Sequence, residues 1–108
     1  MGTIKEIRVD IPNNNHLTQV IVTIETMEGE TGYGEAWWGI PNPSYPGSTS
    51  FPIASVIENL ITPHLIGKDS RTIEKHWFDI WDYGYRYADQ GIFTMGLAGV
   101  DLALWDLL

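Results

Sequence analysis

The chain has 108 residues, 44% of them hydrophobic, and carries 14 acidic against 6 basic residues for a formal charge of −8. That is enough apolar material for one core, as a domain or a piece of a larger chain, and no Lys/Arg cluster is present to hold nucleic acid or an anionic membrane. The absence of cysteine excludes a disulfide framework and thiolate chemistry, as suits the cytoplasm, and no apolar signal segment follows Met1.

Residues 4–11 alternate Ile7, Val9 and Ile11 with Glu6, Arg8 and Asp10, which predicts a first strand. Pro12 and the three asparagines after it have turn composition. A second strand is predicted over residues 17–27, with Val20, Val22 and Ile24 inward and Gln19, Thr23 and Glu25 outward; Ile21 is an apolar exception on the outer face. Glu28-Gly29-Glu30 reverses the chain into a third strand over residues 31–37. The last two strands then form a hairpin, and all three an antiparallel meander. Residues 39–50 form a long loop of proline, glycine, asparagine and serine around Tyr45, and loops of this kind often carry function.

Ser50 can cap the next helix, with Pro52 in its first turn. Ile53, Val56, Ile57, Leu60 and Ile61 give that helix one apolar face, ending before Pro63. Gly67-Lys68-Asp69-Ser70 is a break offering two N-cap residues. Ile73, Trp77, Ile80 and Trp81 then stripe a second helix over residues 71–82, and an aromatic-rich connection follows from Tyr83 to Gln90. The final stretch, residues 91–108, contains no proline. On a helix, Met95, Ala98, Leu102 and Trp105 share one side, and Leu97, Val100, Leu104 and Leu108 fill much of the other. A helix apolar nearly all round is expected to be buried between layers. A membrane span is excluded, because Asp101 and Asp106 interrupt the run well short of the ~18 apolar residues required. No glycine cap or basic last turn closes this helix, so the chain is expected to be truncated. Strands first and helices after predict an α+β fold.

Nothing in the chain assembles into a catalyst. A tuned general base needs a partner and a metal needs three or more converging ligands. Here the acidic residues are spread over every element, and His16, His64 and His76 stand apart. There is no phosphate loop and no nucleophile elbow. No catalytic residue and no metal ligand is assigned.

Three stretches in order carry a resemblance. Gly32-Tyr33-Gly34-Glu35-Ala36 looks like a G-x-G-E-A/C strand end. Leu65-Ile66-Gly67-Lys68-Asp69 is similar to an L-x-G-x-D/E break, and Ala98-Gly99-Val100-Asp101-Leu102-Ala103-Leu104-Trp105-Asp106 to an A-x-S-G-I-D-x-A-L-W-D helix, with Ala98 where serine is commoner. Together they resemble the N-terminal domain of the enolase superfamily, in its mandelate racemase and muconate lactonizing enzyme branch. The resemblance covers essentially the whole chain. It implies an α+β capping domain over residues 1–90, with residues 91–108 starting the segment that leads into a TIM-type (β/α) barrel absent from this chain. It also implies a parent racemase, epimerase, dehydratase or cycloisomerase that removes the proton α to a carboxylate, with Mg²⁺ stabilising the enediolate. Its acid/base residues and metal ligands sit on barrel strand ends, beyond Leu108. The implied partners are a small carboxylate substrate, an acid sugar being favoured by the long polar loop, the chain's own barrel, and further copies in a homo-oligomer.

In this family two cap loops close over the substrate. Carried onto this sequence they are residues 12–16 and residues 38–50, which makes His16, Trp38 and Tyr45 the candidates for substrate contact. The plainer alternative for each is an ordinary loop residue anchored on the sheet or exposed in a turn. Glu35 is expected to be structural. Asp101 and Asp106, on the most apolar helix, are expected to accept hydrogen bonds from backbone amides or an arginine. Gly96 and Gly99 should allow another backbone to approach. Trp77 and Trp81 should be core. The segment from Tyr83 to Gln90, with Arg86, stays open between facing a barrel mouth and covering helix ends.

Two other classes remain: a self-contained carbohydrate-binding module stacking sugars on its aromatic rings, and a structural interaction domain. A binding module would present a flat exposed aromatic platform. A cap should bury Trp77, Trp81 and Trp105.

Overall fold

The alternation of apolar residues sets the sheet. Strands β1 (Ile4–Asp10), β2 (Val20–Thr26) and β3 (Thr31–Ala36) pair antiparallel in the order β1-β2-β3, the expected meander. The structure is a computed structural model that describes residues 2–11, 19–36, 50–84 and 91–108. Val20, Val22 and Ile24 of β2 are fully buried, as their spacing requires. The hairpin closes through Gly29, whose φ of +91° suits only glycine without strain, and through the Thr26 N–H donating to the Glu30 carbonyl at 2.9 Å.

Two departures from simple alternation have local causes. Ile4 and Ile7 are both buried although three apart, because the register with β2 slips between Ile4 and Glu6, a bulge that returns both to the core. Thr23, expected outward, is 4% exposed. It lies on the central strand directly between Arg8 of β1 and Tyr33 of β3, whose long side chains flank it.

The predicted break at residues 67–70 becomes an addition to the sheet margin. The Ile4 N–H donates to the Lys68 carbonyl and the Gly67 N–H to the Ile4 carbonyl, both at 2.8 Å, and the Ser70 N–H donates to Gly2. Asp69 does not cap the following helix. Its carboxylate takes the Arg71 backbone N–H at 2.9 Å and the Arg71 guanidinium through two further bonds.

The first helix is shorter than its apolar spacing suggests. α1 (Ser50–Val56) runs into a π turn (Ile57–Ile61) and a 3₁₀ turn (Thr62–His64). Ile53, Ile57, Ile61 and Leu65 are all buried at four-residue intervals. Over three such intervals a regular α-helix would rotate them about 120° around its surface, and the wider π turn counters that drift. The Thr62 hydroxyl donates to the Ile57 carbonyl at 2.7 Å and holds the widened turn.

α2 (Ile73–Gly84) buries Ile73, His76 and Ile80, with Trp77 and Trp81 half-buried. α3 (Ile92–Leu107) lies on β3 and β2 and is flanked by α1 and α2. Phe93, Leu97, Val100, Ala103 and Leu104 of α3 join the sheet and the isoleucines of α1 and its π turn in one core. Among the described residues no helix is long and apolar enough to cross a membrane.

Candidate functional surface

The contact between β3 and α3 explains the glycine motif. A Cβ added to Gly34 would fall 2.7 Å from the Ala103 backbone nitrogen and closer still to the Gly99 carbonyl oxygen. One added to Gly32 would strike the Ala103 carbonyl and Leu107. From the other side, a Cβ on Gly99 would lie 2.9 Å from that of Ala36. The glycines of G-x-G and the small residues of the final helix are thus two halves of one backbone-to-backbone contact. Gly96 lets α1 approach instead, where an added Cβ would sit 3.2 Å from Ile57.

Asp106 completes the joint: its carboxylate accepts the Tyr33 backbone N–H at 2.8 Å, a donor on the outer strand of the sheet. This is the expected structural role. Asp101 differs. Burial pushes its carboxyl above the ordinary value, partly offset by a hydrogen bond from the Trp105 side chain one turn on. Glu35 is exposed on β3 beside the same helix.

α3 is not buried all round, contrary to its composition. Leu102 is 53% and Trp105 49% exposed, because the sheet and the neighbouring helices cover only the side bearing Leu97, Val100 and Leu104. Trp105 therefore fails the burial expected of it, whereas Trp77 and Trp81 are half covered. Around Trp105 the surface is concave. One cleft, about 350 Å³, lies between α2 and α3 and is lined by Ile73, Glu74, Trp77, Phe78, Asp101 and Trp105. A shallower depression runs over Tyr33, Gly34 and Glu35 to Leu102. Phe78, 65% exposed, was not singled out in the sequence. Its signal was available: a large apolar residue lying off the stripe of its own helix.

A separate polar hollow of about 210 Å³ brings His64 and His76 together with Lys68, Lys75 and Asp79. His64, His76, Lys75 and Asp79 are already engaged. The His76 Nε2 lies 2.6 Å from the Asp69 carbonyl, which can only accept, so that nitrogen carries the proton. Lys75 pairs with Asp79 at 2.6 Å and holds that carboxyl below its usual range. The His64 ring rests on Tyr83 at 4.1 Å between centroids.

The sequence candidates for substrate contact, His16, Trp38 and Tyr45, lie outside the described residues, as does Arg86. Among the described residues no three His, Asp or Glu side chains gather to hold a metal ion.

The model of the mandelate racemase / muconate lactonizing enzyme N-terminal domain matches residues 4–108. The chain belongs to this family. Among similar proteins is a D-mannonate dehydratase from Rhizorhabdus wittichii, 38% identical over 102 residues, which are 92% of this chain and 22% of that enzyme. Two solved structures share the fold of this N-terminal domain. The 3,6-anhydro-D-galactonate cycloisomerase from Zobellia galactanivorans superposes with a TM-score of 0.81 at 27% identity, covering 97% of this chain and 28% of the other. A racemase from Streptomyces coelicolor with bound magnesium gives 0.79 at 28% identity, covering 96% and 29%. The chain spans only about a fifth of the length of the curated relatives it matches.

Proposed function

We propose that this chain is the capping domain of an enolase-superfamily enzyme that removes the proton α to the carboxylate of an acid sugar, with dehydration as the reaction. Residues 1–90 form the cap, and residues 91–108 lead into a (β/α) barrel that supplies the acid/base residues and the Mg²⁺ ligands. The observation that carries this is the family match over residues 4–108. The dehydratase and the cycloisomerase among the similar proteins both act on sugar acids by their names, which favours a hydroxylated carboxylate. The cap's part is to close over that substrate and select it through residues 12–16 and 38–50, with His16, Trp38 and Tyr45 as the contacts. A cytoplasmic location and a homo-oligomeric assembly belong to the same proposal.

The test is turnover of a panel of sugar acids by the full-length protein. Loss of water from a 2,3-dihydroxy acid leaves a 2-keto-3-deoxy acid, which can be detected as its semicarbazone. The expected result is dehydration of at least one sugar acid, abolished by a chelator and restored by Mg²⁺. No turnover across the panel, or turnover indifferent to the chelator, would overturn it.

A further inference from the structure

We propose that the cleft between α2 and α3 is a socket for an arginine side chain of the polypeptide that follows this domain. This rests on the capping-domain proposal only in taking further polypeptide to be present, as the relatives' greater length indicates. The cleft has the chemistry of a guanidinium site. Three aromatic side chains, Trp77, Phe78 and Trp105, line it beside the Asp101 carboxylate, and Glu74 adds a second carboxylate. Arginine alone among side chains can stack its plane on a ring face and engage a carboxylate with a forked pair of donors. At about 350 Å³ the space lies near the small end of ~300–1,000 Å³ ligand pockets, which suits one long side chain.

Charge decides against an apolar occupant. Covering Asp101 with an aliphatic group would take a carboxylate further from water without giving it a counter-charge, and Asp101 is already penalised by burial. Among the described residues no cation pairs with Asp101. Arg71 and Lys75, which line the adjoining groove, are committed to Asp69 and Asp79. On this proposal that cation lies on the polypeptide that follows. Leu108 borders that same groove, so polypeptide continuing from α3 would emerge beside the cleft.

Two measurements on the full-length protein test this without reading activity. A crystal structure should place a guanidinium within ~4 Å of the Asp101 carboxylate and within ~6 Å of the Trp105 or Phe78 ring centroid. Asp101→Asn should lower the melting temperature, by about 2 °C or more, and the loss should be less than additive with truncation of the arginine identified. An aliphatic side chain or solvent alone in the cleft would overturn the proposal. So would Asp101→Asn raising the melting temperature, which is what relief of the burial penalty alone would do. The outcomes are separable from those of the proposed function. A seated arginine in an inactive protein would leave the socket intact and sink the enzyme, and an active enzyme with an aliphatic occupant would do the reverse.

Discussion

Replacing Gly34 by alanine puts one methyl group into the tightest joint of the molecule. The new Cβ would stand 2.7 Å from the Ala103 nitrogen and nearer still to the Gly99 carbonyl, both backbone atoms that no rotamer change can move. The only relief is a shift of α3 away from β3. Inserting a methyl group into a packed contact costs about 1–3 kcal/mol, more where backbone must move. Against this stands the smaller entropy of an unfolded alanine, worth about 0.4–1 kcal/mol. Gly34 has no positive φ, so backbone strain does not contribute. The balance is a net loss on the order of 1–3 kcal/mol, and at ~4–8 °C per kcal/mol for a domain of this size it lowers the melting temperature by about 4–24 °C. Thermal and urea unfolding followed by far-ultraviolet circular dichroism would measure it. Gly99→Ala attacks the same contact from the helix side, so the double substitution should cost less than the sum of the two. If Gly34→Ala unfolds within ~0.5 kcal/mol of the parent, the range of an ordinary surface change, the G-x-G pair is not there for helix approach and the account of the motif is wrong.

Asp106→Ala should cost about 0.5–1.5 kcal/mol in urea unfolding, because the Tyr33 N–H loses its acceptor; no loss would mean that water replaces the carboxylate freely. Arg71 holds the Asp69 carboxyl down to about 2. The charged form therefore stabilises the fold above the unfolded carboxylate value of ~3.9, and that contribution fades as pH falls from there toward 2. Asp69→Asn should remove this acid-range part of the stability profile, as melting temperature against pH would show, and an unchanged profile would refute the pairing. In the full-length protein, Trp38→Ala and Tyr45→Ala should change kcat/KM unequally among sugar acids, by roughly tenfold between the best and worst affected, while proton exchange at the α carbon persists. A uniform loss across all substrates would argue against a selecting role.

Periodicity carried the architecture. Val20, Val22 and Ile24, then Ile53, Ile57 and Ile61, and the pair Ile73 and Ile80 all fall inside because two- and four-residue spacings speak directly about faces. What it could not carry were effects set by a neighbour distant in sequence. Thr23 looks polar and outward until Arg8 and Tyr33 are paired on either side of it. The bulge after Ile4 is a property of the register with β2, and the π turn depends on holding four buried residues at a spacing that no regular helix keeps in line. Trp105 shows the limit most clearly. Its composition says buried, yet the described residues leave it half exposed, since a hydropathy pattern does not say which layer supplies the cover. For the candidate site, the G-x-G-E strand and the small-residue helix were both visible as motifs, but only the tertiary contact shows that each exists for the other. The cleft beside Asp101 needed α2 and α3 side by side before Phe78 and Glu74 could be seen to belong to it.

The central claim is that this domain caps an enzyme whose chemistry begins with removal of the hydrogen α to a carboxylate. The most direct measurement is exchange of that hydrogen with D₂O, followed by proton NMR on a panel of sugar acids and other carboxylates incubated with the full-length protein and Mg²⁺. It catches racemase, dehydratase and cycloisomerase alike. The account predicts loss of the α-proton signal for at least one carboxylate, dependent on the divalent cation and unaffected by Glu35→Gln in this domain. Retention of the α-proton in every carboxylate tested would contradict it.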